Sequence, residues 1–112
     1  MTFFWCFFCE IIAGRLPGPG PYGEWRDTVA ISPLRPVTPG HLLVIPRQHI
    51  VDAASNPQLA ALTMERAAIL AGQHESADII TSIGSVTSQT VLHLHLHVVP
   101  RWNGDGLHLP WT

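Results

Sequence analysis

Charge is what this chain has least of. Only 12% of its 112 residues are charged, six basic and eight acidic, against a usual share of roughly 25%. The basic residues form no cluster and the net charge is −2. That excludes the basic stripe a nucleic-acid polymer requires, while a small phosphorylated ligand stays compatible. Long apolar runs are missing as well. The run from Phe3 to Cys9 stops at Glu10 after seven residues. It has no positive flank and no small-residue cleavage site, so it predicts neither a signal peptide nor a membrane span. A cytoplasmic chain is expected. Cysteine is scarce too: in that setting Cys6 and Cys9 suit metal binding or redox chemistry better than a structural disulfide.

What the chain has is apolar surface, 46% of its residues being hydrophobic. One domain over residues 1–112 is expected, large enough to bury about two-thirds of its unfolded surface. With so few charges to keep a surface wet, a partner should cover part of it, most simply a second copy of the chain. A homodimer is expected, with the interface on the long helix from Pro57 onward and its neighbouring edge strand.

Residues Thr28–Ser32 and Leu42–Pro46 read as strands, the second a continuous apolar run suited to burial. A rigid proline-rich connection, Pro33 to Gly40, joins them. Asn56-Pro57 is a helix start, a capping side chain followed by proline at the first helical position. The helix should run to about Gln73 or Glu75 with Leu59, Leu62 and Ile69 on its apolar face, interrupted by Arg66. Strands are expected at Ile79–Ile83 and Val91–Pro100, and a short helix at Glu10–Ala13. Strands, one long helix, then strands again predict an α+β fold, an antiparallel meander of about five strands carrying the long helix and a short N-terminal one.

The most informative segment is His93-Leu94-His95-Leu96-His97. Side chains alternate along a strand, so the three histidines share one face and Leu94 and Leu96 the other. Neutral imidazole is available at neutral pH as nucleophile or metal ligand. Cys6-x-x-Cys9 is the usual half of a tetrahedral zinc site, although alone it also fits a redox pair or two buried thiols. His49 and His93 could complete a Cys2His2 set. Four protein ligands leave no open position, so such a zinc is structural. The polar loop Ser85–Thr90, including Ser88, Gln89 and Thr90, offers hydroxyls, an amide and backbone N–H groups to phosphate oxygens. His41 opens the buried strand and could approach the histidine row from beside it. His74 reads as a solvated helix residue and His108 as part of the tail.

These segments together resemble the histidine triad family. Cys6-x-x-Cys9 with Glu10–Gly14, Pro39-Gly40-His41 through His49, and Ser88 through Val99 are similar to its three ordered blocks and span nearly the whole chain. The resemblance implies a nucleotide-binding hydrolase or nucleotidyl transferase, usually a homodimer. It acts on a nucleoside phosphoramidate or phosphoanhydride. His95 would attack the α-phosphorus and form a nucleotidyl-histidine, which water then hydrolyses. His97 and His41 would hold and polarise the phosphoryl group, assisted by Gln89 and Thr90. His93 would be a zinc ligand. The chain departs from the family's pattern at Pro33, where an acidic ribose ligand is common, and at Ser82 and Ser88, where asparagine and glycine are usual.

Two other readings compete. In one, all three strand histidines ligate a single catalytic zinc of a metal-dependent hydrolase. In the other, the chain is a nucleotide-binding module with vestigial chemistry, the reading that Pro33 and Ser82 motivate.

Overall fold

A computed structural model describes residues 5–18, 20–84 and 91–108. Five strands form one antiparallel sheet in the order β1-β2-β3-β5-β4. They are β1 (Gly23–Glu24), β2 (Thr28–Ile31), β3 (Leu42–Pro46), β4 (Ala77–Ile80) and β5 (Leu96–Pro100). A short helix α1 (Phe7–Ile12) precedes them, and the long helix α2 (Pro57–Ala71) separates β3 from β4. This is the expected α+β meander.

Each face of the sheet has its own core. On one, Ala30, Leu42, Val44, Leu94, Leu96 and Val98 pack with Ile50 and with Ala67 and Leu70 of α2. On the other, Val29, Ile31, Leu43 and Ile45 pack with Cys6 and with Phe8 of α1. The alternation of β3 therefore feeds both layers, which is why its sequence reads as an unbroken apolar run. Each fully buried aliphatic side chain contributes roughly 1.5–3 kcal/mol.

Helix α2 starts as expected: Asn56 Oδ1 accepts from Leu59 N at 3.1 Å, and Pro57 occupies the first turn. Its buried stripe differs in part from the expected one: Leu59 packs against the core as expected. Thr63, Ala67 and Leu70 face the sheet, whereas Leu62 and Ile69 are 46% and 49% exposed. Small residues let the helix lie close to the sheet, and Thr63 is accommodated because its hydroxyl donates to Leu59 O at 2.8 Å. Arg66, the interruption in the expected apolar face, lies over the Trp25 ring at 4.3 Å and covers an aromatic face. The helix ends at Ala71, short of the expected Gln73, because the bonds Gln73 N to Leu70 O and His74 N to Ala71 O tighten its last turn.

The N-terminal helix begins three residues before the expected Glu10, because Cys6 caps it by accepting from Cys9 N at 3.4 Å. Strand β4 runs Ala77–Ile80 instead of Ile79–Ile83. Its ladder with β5 stops at Ile80↔His97, and beyond it the Thr81 hydroxyl takes the His95 carbonyl at 2.8 Å.

The largest correction concerns Val91–Pro100, of which only Leu96–Pro100 is strand. The β3–β5 register pairs Val44 with Leu96, so its continuation would set Leu94 against Pro46. Proline has no N–H to exchange. Leu94 N donates instead to Ile50 O at 2.7 Å, and the Pro46 carbonyl is taken by the His93 ring at 2.9 Å. His93 and His95 thus lie outside the ladder. Leu94 and Leu96 nonetheless stay in the α2-side core, and the histidines face α1.

Candidate functional site

Four donors converge beside α1. The ligating atoms of Cys6, Cys9, His49 and His93 all lie within 4.8 Å of one another. The N-terminus of α1 supplies the two sulfurs, the segment after β3 supplies His49, and the bend before β5 supplies His93. Cys6 Sγ is 3.4 Å from His93 Nδ1, and Cys9 Sγ is 3.5 Å from the Nδ1 atoms of both His49 and His93. The two Nδ1 atoms are 3.2 Å apart. A tetrahedron with zinc–nitrogen bonds of about 2.0–2.1 Å and zinc–sulfur bonds of about 2.3 Å has edges of roughly 3.3–3.8 Å. The donor set therefore fits a tetrahedral cation. The second shell fits too: His93 Nε2–H donates to the Pro46 carbonyl at 2.9 Å, leaving Nδ1 with its lone pair. Burial, with the Pro46 bond opposing it, lowers the pKa of His93. Burial and then the Cys6 thiol push Cys9 up to about 11, so a nearby cation is what suits Cys9 as a thiolate.

A second cluster adjoins it. His95 Nδ1 lies 2.8 Å from the backbone carbonyl of His93. A carbonyl only accepts, so Nδ1 carries the proton and Nε2 keeps its lone pair, the arrangement a nucleophilic imidazole needs. The His95 ring stands between two others, edge-on to Phe8 at 5.2 Å and to His97 at 5.3 Å. His97 sits opposite Leu43 and Ile80 in the sheet. Val37 N donates to His41 Nδ1 at 3.1 Å, so the His41 proton resides on Nε2, which donates to His97 Nδ1 at 3.0 Å. The remaining His97 proton is then on Nε2. Burial lowers His41; burial, then His95 and His41, bring His97 down to about 4. Both rings are neutral donors at neutral pH.

The structure thus brings together His41, His95 and His97, and separately Cys6, Cys9, His49 and His93. Ser82 is half-buried and follows Thr81, whose hydroxyl holds the His95 carbonyl. Ser88, Gln89 and Thr90 lie outside the described residues. His74 is not a helix residue. It is half-buried past the end of α2, lining a cleft of about 280 Å³ with His41, Tyr22 and Gln73. Sequence reasoning missed Phe8, Thr81 and the carbonyl of Pro46. The position of Phe8 between the two cysteines was the one available signal. The other two act through contacts distant in sequence.

Residues 23–104 match the HIT domain. An uncharacterized HIT-like protein of Mycobacterium tuberculosis is 40% identical over 109 residues, covering 91% of this chain and 75% of that protein. A HIT family hydrolase from Clostridium thermocellum superposes with a TM-score of 0.79 at 31% identity, covering 96% of this chain and all of that one. The adenylylsulfatase HINT3 of Arabidopsis thaliana is 28% identical over 109 residues, covering 91% of this chain and 55% of that protein. A domain match over most of the chain, together with these likenesses, places this protein in the HIT family. Among the described residues no helix is long and apolar enough to cross a membrane.

Proposed function

We propose that this protein is a nucleotide-binding hydrolase or nucleotidyl transferase. It would cleave a nucleoside phosphoramidate or phosphoanhydride at the α-phosphorus through a nucleotidyl-His95 intermediate. The observation that carries the reading is the set of ring protons. His93 is protonated on Nε2, His95 on Nδ1 and His97 on Nε2, each assigned by its hydrogen-bond partner. Three neighbouring histidines so arranged divide the work. His93 offers a lone pair to the cysteine cluster, His95 a lone pair to substrate, and His97 an N–H to a phosphoryl oxygen.

In the first step neutral His95 Nε2 bonds to phosphorus as the bond to the leaving group breaks; the leaving group takes the electron pair, and an amine leaving group takes a proton from solvent. In the second, water replaces His95 on phosphorus; its oxygen becomes the fourth phosphate oxygen, its protons pass to solvent and the imidazole is released neutral. His97 Nε2–H stabilises the charge that develops on the phosphoryl oxygens, and His41 acts through His97 by holding it in its donor tautomer. Gln89, Thr90, Ser88 and Ser82 are assigned to phosphate binding on the sequence resemblance. Zinc held by Cys6, Cys9, His49 and His93 supplies folding energy, with no free coordination position for catalysis. The adenylylsulfatase relative supports a substrate in which an adenylyl group is joined to an acidic leaving group. A single catalytic metal on His93, His95 and His97 is disfavoured, since each ring is already committed to a different partner.

A cytoplasmic homodimer completes the reading. Exposed Leu62 and Ile69 on α2 and Ile80 on the edge strand β4 are the surface that a second copy would cover. The test is incubation with adenosine phosphoramidate, adenylyl sulfate and dinucleoside polyphosphates. AMP release and an acid-labile nucleotide adduct absent from His95→Ala are expected. Tight nucleotide binding without turnover would favour the vestigial module, the alternative that Pro33 supports.

A further inference from the structure

Phe8 sits between the two cysteines in the first turn of α1 and is 4% exposed. Its ring is edge-on to both His93, at 5.9 Å and 82°, and His95, at 5.2 Å and 74°. It is therefore the one side chain of the metal-bearing helix that touches both a metal-site histidine and the reactive one among the described ring contacts. We propose that Phe8 is a positioning residue for His95, and that through it the metal cluster sets the orientation of the reactive ring.

The proposal rests on the reading of His95 as nucleophile and adds what keeps it aimed. Rotating the His95 ring by half a turn exchanges Nε2 for a carbon and removes the attacking lone pair. Two restraints oppose that rotation. One is the hydrogen bond to the carbonyl of His93, a residue of the metal cluster. The other is the flank that Phe8 and His97 provide. Helix α1 has only six residues, too few to hold together alone in water. Its place on the sheet depends on its apolar contacts and on the donors at Cys6 and Cys9. The bond to the His93 carbonyl and the Phe8 side of the flank thus depend on the cluster, while His97 is held by the sheet, so loosening the cluster frees the ring without touching any other group that contacts substrate.

The experiment compares zinc-loaded wild type, chelated wild type and zinc-loaded Phe8→Leu above neutral pH. Zinc content, far-UV circular dichroism, kcat and KM are followed, together with the His95 ring nitrogens by long-range 1H–15N correlation. In the loaded wild type His95 should show a single Nδ1–H tautomer. Phe8→Leu should keep one zinc per chain and a KM within about twofold. Its kcat should fall about tenfold or more, as misplacement of an attacking group predicts, with a mixture of tautomers at His95. Chelation should give the same mixture. A folded Phe8→Leu protein with zinc, wild-type kcat and a single tautomer would overturn the proposal. So would a folded metal-free protein that retains the single tautomer. If Phe8→Leu fails to hold zinc, Phe8→Met keeps the apolar volume and removes only the ring, and the same readouts decide. If chelation unfolds the chain, the loaded variants decide alone. Absence of turnover in the loaded wild type would reject the proposed function, while the tautomer measurements would still test the coupling.

Discussion

His41 donates its Nε2–H to His97 Nδ1 across 3.0 Å, so an imidazole thirty residues before the end of α2 decides which nitrogen of His97 faces outward. On this geometry His41 acts by presenting an N–H to His97, so a replacement must keep a donor on that side. His41→Asn should retain part of the activity, because its amide N–H reaches toward the same acceptor, whereas His41→Ala should lose about tenfold or more in kcat. Equal losses in the two variants, measured at saturating substrate, would show that His41 contacts substrate itself.

Acid should unfold this protein through the same pair. His97 is pushed from an ordinary value near 6.5 down to about 4 by burial and its neighbours, and His41 is lowered in the same direction. Between those limits the unfolded chain binds more protons than the folded one, so stability rises with pH. The contribution is fully present above about 6.5, shrinks as pH falls, and is gone once pH passes below about 4. The Tm of wild type should drop through this window more steeply than that of His97→Asn. Parallel curves would refute the assignment of a depressed pKa to His97.

Metal removal should cost stability. One zinc per chain is expected by elemental analysis, and Cys9→Ser should lose the metal and several degrees of Tm together, because metal-binding energy is also folding energy. Freshly purified, fully folded protein that contains no zinc would reject the assignment.

His95→Ala should abolish turnover while leaving the far-UV spectrum and nucleotide affinity nearly unchanged, since the interaction it deletes exists only along the reaction path. Retention of more than about a tenth of wild-type kcat, a loss under about 1.4 kcal/mol, is incompatible with covalent catalysis.

Leu62 and Ile69, half-exposed on α2, predict the assembly state. Light scattering should give the mass of two chains at micromolar concentration, and Leu62→Glu should shift it toward one. A wild-type monomer would remove the dimer from the proposal.

Much of this was legible in the sequence because local signals agreed with the tertiary outcome. Asn56-Pro57 capped the helix as written, the apolar run of β3 was buried on both faces, and the two cysteines and two histidines meet although 87 residues separate Cys6 from His93. What was not legible depends on partners far along the chain. The end of β5 is set by the missing N–H of Pro46, and the end of β4 by the hydroxyl of Thr81. The α2 stripe was misread because alanine and threonine carry the close contact and the larger Leu62 and Ile69 are left outside. Sequence patterning weighs side-chain size and hydropathy, whereas a helix lying close on a sheet selects for smallness.

The break in the sheet at Pro46 also bears on how the reaction proceeds. His97 is fixed in the ladder between Leu43 and Ile80, while His93 and His95 lie outside it, their segment bonded to Ile50, Thr81 and Pro46. Under the proposed function the ring assigned to phosphate is held within the ladder, and the ring assigned to attack is held by the His93 carbonyl and flanked by Phe8. Attack requires nitrogen and phosphorus to close from a separation of roughly 3–3.5 Å. The proposed mechanism therefore asks two different parts of the fold, the ladder for His97 and the metal-site segment for His95, to set that separation together.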